Sequence, residues 1–346
     1  MSKAGKINPD FFKQNIQQQC GFQNERILAK PAYGVDVSVV EIYEEKILIS
    51  ASDPMSYIPS LGSEDSAWLS IVLTSNDIAT SGYAPQFAQV VLNLSDTMET
   101  QDFQTYWNHI HQICENQKIS ITGGHTGFVP GQNSTFAGGI TMFAIGKRNH
   151  FFTSAMAQEN DVILMTKEAA LISTSILAKS FPETVKQNLG EEILEQCRNK
   201  FKQTSVLQEA LIAAKSNGVS AMHDITEGGI LGAVYEMMVA SEKGFSIDES
   251  QIPVSKETAK MSELFGYKPT ESVGAGSLLI TVHPDDANQL IQNLKEENIE
   301  SSVLGTVKSA DFGYKVFRNG TETEYEKPET DSYWSAFYNA MEKGWK

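Results

Sequence analysis

Three stretches of the sequence hold residue types suited to anions and to the metal ions that accompany them. The first is Thr122-Gly123-Gly124-His125-Thr126-Gly127. Paired glycines let backbone N–H groups close around an anion, and the Thr126 hydroxyl is placed to reach a phosphate or a hydrated metal. The same letters also spell a plain turn after a strand. The second is His223-Asp224-Ile225-Thr226-Glu227-Gly228-Gly229, just before an apolar-periodic segment. Backbone donors at a helix start suit anions, and Asp224 and Glu227 add carboxylates for a metal bridging to them. Helix capping is the competing account, with Thr226 as N-cap and Asp224 beside the positive end of the dipole. Capping leaves Gly228-Gly229 unexplained, because two glycines in a first helical turn cost stability. The third is the carboxylate set Asp36, Asp53 and Asp77. Asp36 interrupts a strand-like run, Asp53 precedes Pro54, and Asp77 follows Asn76 in a helix otherwise apolar on that face. Hard oxygen ligands converging from separate element ends are what Mg²⁺ sites use. Taken singly, each is a turn or surface residue.

The elements that must position these groups are legible as periodicities. A short helix is expected over 8–19, strands over 35–42 and 46–51, and a stop at Asp53-Pro54, since proline removes a ladder donor. A helix follows over 65–81, then a strand over 87–94, a helix over 102–117 and a short strand over 119–122. The Gly-rich stretch 123–131 reads as a loop, and 136–145 as a strand. After a polar break near 148–158 the pattern resumes with a strand at 161–166 and helices at 168–180, 189–200 and 203–216. A brief strand at 219–222 leads through the second motif into a helix ending near 241. A strand at 276–283, a helix at 285–296, a strand at 299–306, a hairpin around Asn319-Gly320 and an amphipathic helix at 331–345 complete the chain. This describes two α+β units, 1–150 and 151–346, with no strict βαβ alternation. No G-x-x-x-x-G-K-[ST] and no strand-to-helix G-x-G-x-x-G occurs, which disfavours P-loop and Rossmann sites.

Composition narrows the function further. The 346 residues carry 27 basic and 43 acidic side chains, a formal net charge of -16. That balance argues against nucleic-acid binding, which needs a basic face, but not against nucleotides, because a dication can stand between two anions. No Lys or Arg lies between Lys46 and Lys118, a span that includes Asp53 and Asp77. Cys20, Cys114 and Cys197 are widely spaced and form neither a disulfide framework nor a zinc motif. Met1 to Gln19 is polar and lacks a signal-peptide core, and no apolar run reaches membrane-spanning length. A cytoplasmic protein without a membrane partner is expected.

Taken in order, the motifs resemble the superfamily of aminoimidazole ribonucleotide synthetase, hydrogenase maturation protein HypE, selenophosphate synthetase and thiamine-monophosphate kinase, and within it the HypE-like, AIR-synthase-related group. The resemblance rests on Gly34-Val35-Asp36, Ser52-Asp53-Pro54, Asn76-Asp77 with Gly82 and Pro85, Gly123-Gly124-His125-Thr126, His223 to Gly229, and Gly276 to Val282 followed by Pro284. It implies a two-domain α+β fold: a strand-rich N-terminal domain that pairs through its strands in a homodimer, and a C-terminal α/β domain closing the cleft. It implies ATP and Mg²⁺ as cofactors and phosphoryl transfer to a small molecule, with an amide-type oxygen activated in the synthetase and HypE branches. Asp36, Asp53 and Asp77 would hold Mg²⁺. Asn76, Gly123, Gly124, Thr126, Thr226, Gly228 and Gly229 would bind the nucleotide, and His125, Asp224 and Glu227 would act in catalysis. Two departures are visible. The HypE C-terminal cysteine is missing, since the last cysteine is Cys197. His125 stands where many relatives have an Asp. A non-catalytic ATP-binding dimeric partner and a small-molecule kinase are the alternatives.

Overall fold

The computed structural model describes residues 7–22 and 24–346. The first six residues of the polar N-terminal stretch therefore lie outside the described residues. The first half runs α1 (Pro9–Asn15), β1 (Ile27–Ala29), β2 (Ser38–Tyr43), β3 (Lys46–Ser56), α2 (Gly62–Thr80), β4 (Phe87–Ser95), α3 (Thr100–Asn116), β5 (Ser120–Val129) and β6 (Phe136–Lys147). Its strands form one sheet in the order β1-β2-β3-β6-β4-β5, antiparallel except between β4 and β5. Alternate residues point inwards, as a half-covered sheet requires: Ile47, Ile49, Ala51 and Met55 of β3, and Ala88, Val90, Leu92 and Leu94 of β4, are buried in one core with Tyr106 and Ile110 of α3.

The second half runs β7 (Val162–Thr166), α4 (Leu171–Ser180), α5 (Pro182–Leu189), α6 (Glu191–Asn199), α7 (Leu207–Ala213), β8 (Val219–Asp224), α8 (Gly229–Ser241), β9 (Gly244–Asp248), α9 (Lys256–Phe265), β10 (Leu278–Val282), α10 (Pro284–Glu296), β11 (Ser301–Lys308), β12 (Tyr314–Arg318), β13 (Thr321–Glu324) and α11 (Ser332–Glu342). Its sheet has the order β13-β12-β9-β11-β7-β10-β8. The fold is thus α+β in two sheet-centred units. The sequence reading lacks β9, α5 and α9; β9 is a five-residue strand, too short to show a period beside the strongly helical pattern before it.

Two local readings need correction. Strand β3 does not stop at Asp53-Pro54 but continues to Ser56. Its pairing with β2 begins only at Ser38↔Ser50, so beyond that point one edge of β3 is open. Pro54 pairs only with Gly139 of β6, the edge setting in which proline is tolerated. The stretch 123–131 is not a loop either: β5 runs through it to Val129. Gly124 is required there by close approach. Its φ is +144°, and a Cβ at this position would lie 1.7 Å from the Val90 carbonyl oxygen.

Helix α2 is buried nearly all round because it packs on β3 on one side and on β8 and α7 on the other. Asn76 is the clasp of that second contact. Its side-chain amide donates to the Thr204 carbonyl at 2.9 Å and accepts from the Val206 N–H at 2.9 Å. Trp68 Nε1 donates to Thr204 Oγ1 beside it at 2.8 Å. Asn76→Ala removes both amide bonds and leaves two backbone groups buried without partners, so the variant is expected to lose about 2–4 kcal/mol of stability. Urea unfolding monitored by tryptophan fluorescence measures this; an unchanged midpoint would show that the clasp is not needed.

Candidate functional site

Strand β8 ends in His223-Asp224 at the border of the second sheet. The segment before β2 brings Asp36 to the same place. Asp36, His223 and Asp224 present ligand atoms all within 4.8 Å of one another, the one such group of metal-ligand type among the described residues. Asp36 comes close because Gly34 allows it. Gly34 has φ +75°, and a Cβ there would meet the Glu236 backbone oxygen at 2.7 Å.

His223 Nδ1 lies 2.8 Å from the Asp36 carboxylate, and Nε2 lies 3.4 Å from Glu236 Oε2, an ion-pair distance without hydrogen-bond geometry. Burial alone would lower the imidazole pKa. The charge and hydrogen bond of Asp36, with Glu236 behind them, overcome that and push it up to about 10. Glu236 in turn accepts from Lys327 Nζ at 2.5 Å and from the Tyr33 hydroxyl at 3.1 Å. A chain of alternating charge, Asp36–His223–Glu236–Lys327, therefore runs through the buried joint between the two halves. Sequence reasoning missed Glu236 and Lys327. The signal was a lone acid in the apolar helix Val234-Tyr235-Glu236-Met237-Met238, since a buried carboxylate needs a partner.

The second motif loop is held from the chain's far end. Helix α8 begins at Gly229 with Gly228 as its cap in left-handed conformation, so Thr226 is not the N-cap. The Thr226 carbonyl instead accepts from the Gly229 and Gly274 N–H groups. The Gly228 N–H donates to Asp331 Oδ2 at 2.6 Å, and Trp334 Nε1 donates to Glu227 Oε1 at 2.9 Å. Gly229, with φ +63°, lets the loop approach Ser272, where a Cβ would lie 2.7 Å from the backbone nitrogen. Close backbone approach thus accounts for Gly229 and left-handed geometry for Gly228, the pair that capping by Thr226 left unexplained.

Asp53 and Asp77 are both half-buried and lie outside the Asp36 group. They sit on β3 and α2, which pack against each other. Ser66 Oγ accepts from the Ile58 N–H and Ser70 Oγ from the Ser56 N–H, each at 2.9 Å, so helix and strand run in opposite directions. Asp77 is seven residues beyond Ser70 on the same helix face, about 10 Å along α2. The same length along β3 from Ser56 is about three residues, which is Asp53. Asn76 faces away, its amide occupied by the clasp on 204–206 instead of being open to a cofactor. Gly123, Gly124, His125 and Thr126 are exposed on β5, three strand positions from β3, roughly 14 Å away. His125 pairs with Val91 and so shares the outer face of the sheet.

A family model described as AIR synthase related protein, N-terminal domain, matches residues 34–147, and its C-terminal counterpart matches residues 158–316. The chain belongs to the AIR synthase related family. A curated relative, selenide, water dikinase of Methanococcus maripaludis, is 28% identical over 61% of this chain and 65% of its own length. Carbamoyl dehydratase HypE of Escherichia coli is 23% identical over 69% of each chain. The chain thus spans about two thirds of the length of these relatives. The solved structure of hydrogenase maturation protein HypE in complex with ATP superposes with a TM-score of 0.63 at 17% identity, covering 94% of this chain and 97% of that one. At that identity the likeness establishes the fold.

Asp331 gives this region a measurable pH dependence. Burial raises its carboxyl to about 6, against the Gly228 and Tyr333 N–H donors and with Glu227 adding to the rise. Between the ordinary aspartate value and about 6, the folded protein holds a proton that the unfolded chain has lost. This contribution therefore favours folding at low pH and is lost as pH rises from about 4 to 6, a change on the order of 3 kcal/mol. Asp331→Asn is expected to flatten that part of the stability–pH profile relative to the native chain in denaturant titrations.

Proposed function

We propose that this protein is an ATP- and Mg²⁺-dependent phosphoryl-transfer enzyme acting on a small molecule. The observation that carries the reading is the convergence of Asp36 from the first half with Asp224 from the second, with His223 between them. Two carboxylates from different elements fit a hard dication, which takes oxygen ligands. His223 suits a supporting role better than ligation, since its Nδ1 is bonded to Asp36 and fixes that carboxylate's orientation. Asp53 and Asp77, level with each other on facing elements, supply a second pair of oxygens.

When bound, Mg²⁺ neutralises phosphate charge and ATP supplies the transferable group. The chain's own part is positioning. Asp36 and Asp224 would hold one dication and Asp53 and Asp77 would supply oxygens to a second, and the loop Thr226–Gly229 offers backbone polar groups braced by Asp331 and Trp334. Glu227, held by Trp334, is the carboxylate next to the acceptor side. In this reading, residues 1–150 form the ATP- and Mg²⁺-binding domain and 151–346 close the cleft, and we place the protein in the cytoplasm. None of the described helices is long and apolar enough to cross a membrane.

Gly123, Gly124, Thr126 and His125 enter the site only through a homodimer. Within one chain they are too far from β3 for one triphosphate to span easily. The outer face of the first sheet exposes Phe87, Val91, Val129 and Ile145, an apolar strip that a second copy would cover. Apposing two such sheets brings β5 of one copy towards β3 of the other. The reading of His125 as catalytic depends on this pairing.

Two tests follow. Asp36→Asn and Asp224→Asn are each expected to lower Mg²⁺-dependent phosphate release from ATP by about 100-fold or more, as loss of a main electrostatic group does. Turnover persisting in both variants would sink the reading. Nucleotide binding without release would identify an ATP-binding partner protein, and label from the γ-phosphate appearing on a metabolite would identify a kinase. Separately, Val91→Lys is expected to yield a folded monomer by light scattering, with ATP turnover lost in parallel. A monomeric native protein with full turnover would contradict the shared site.

A further inference from the structure

On the far side of the Glu227-Gly228 turn lies a cavity of about 980 Å³ between α1, α8 and the segment following β13. Its chemistry is unlike that of a phosphate pocket. Tyr33, Tyr235, Tyr314 and Tyr325 line it, and its other charged groups are carboxylates apart from Lys327. That lysine is committed, because its ammonium group bonds to Glu236 and to the Tyr33 hydroxyl. It sits 5.1 Å from the Tyr33 ring centre, so one ring of the set already faces a cation. Tyr235 stands edge-on to Tyr314 with ring centres 4.9 Å apart, and 6.1 Å from Tyr325.

A second observation is independent of the acidity. Tyr325 is only 4% exposed, and its hydroxyl has no hydrogen-bond partner among the described residues. A buried hydroxyl left unpaired costs about 1–3 kcal/mol. It lines this cavity, so a ligand atom seated there would satisfy it.

We propose that this cavity binds a small organic cation, a molecule bearing a protonated amine or guanidine, and that the same molecule is the acceptor substrate through a separate hydroxyl, whose oxygen bonds to the γ-phosphorus as the bond to the leaving ADP breaks and whose proton passes to Glu227. Aromatic faces attract ammonium and guanidinium groups, the more strongly when water is excluded. The carboxylates of Glu326 and Glu329 at the exposed rim set the sign of the potential and draw in cations. Tyr325 fixes orientation through its hydroxyl. The shared wall at Glu227 and Gly228 sets the ligand beside the loop assigned to phosphoryl transfer. The acceptor role rests on that assignment, whereas cation binding by the cavity does not.

Calorimetry on the full chain without nucleotide tests the binding, with agmatine and putrescine as amine probes and glutarate as an anion of similar size. The amines are expected to bind and glutarate to fail. Tyr325→Phe is expected to weaken amine binding about tenfold, the loss of one hydrogen bond to a charged group. Glu326→Lys combined with Glu329→Lys, both on the exposed rim, is expected to abolish it while leaving the unfolding temperature unchanged. Absence of amine binding at millimolar concentration, binding of glutarate as tight as that of the amines, or amine binding unaffected by the double charge reversal overturns the inference. ATP turnover without amine binding would overturn it and leave the phosphoryl-transfer reading standing. Amine binding without ATP turnover would uphold cation binding by the cavity and overturn the phosphoryl-transfer reading together with the acceptor role.

Discussion

A carboxylate removed from water must keep a partner of opposite charge or a set of donors, and this requirement organises the joint between the two halves. Asp36 reaches His223, His223 reaches Glu236, and Glu236 takes Lys327 and Tyr33. Each link comes from a different part of the chain. Removing any one leaves a charge buried without its complement, so the register of one sheet against the other is fixed electrostatically as well as by packing. The glycine at 34 serves this same approach, because a side chain there would hold the Asp36 segment off α8.

Much of the fold was legible as period. Strands β2, β3, β4 and β6 of the first sheet were legible in the sequence, the three-residue β1 was missed, and helices α2, α3 and α10 announce themselves through apolar spacing. The misreadings came where a local rule met a tertiary exception. Pro54 looked like a strand terminus, but β3 is unpaired on its β2 side at that point. Gly123-Gly124 looked like a loop, but β5 runs through it, and at Gly124 it approaches β4 so closely that only glycine fits. Thr226 looked like a cap, but α8 starts at Gly229 with a left-handed Gly228 as its cap.

The site was legible in kind and incomplete in composition. The motifs supplied Asp36 and Asp224 but not the fact that they meet, since sequence spacing says nothing about convergence across 188 positions. Asn76 stood beside Asp77 and was read with it. Adjacent residues on a helix point about 100° apart, so Asp77 does not share the direction of Asn76, which is taken up by the clasp. Glu236 and Lys327 carry no motif; Glu236 shows in the sequence only as a lone acid in an apolar helix, and Lys327 only through its contacts in the fold. The acidic stretch free of Lys and Arg between residues 46 and 118 now divides into exposed charge and three half-buried acids, Asp65, which pairs with Lys179, and Asp53 and Asp77.

The bracing of the second motif by Asp331 and Trp334 has a temporal consequence. During synthesis, domains fold as they emerge, the N-terminal one first. Asp36 is available early, and the loop at 224–229 follows, but its two side-chain braces are translated about a hundred residues later. Until then the loop lacks the contacts that set its shape. The nascent protein therefore carries its acidic pocket in an unfinished form until Asp331 and α11 have left the ribosome.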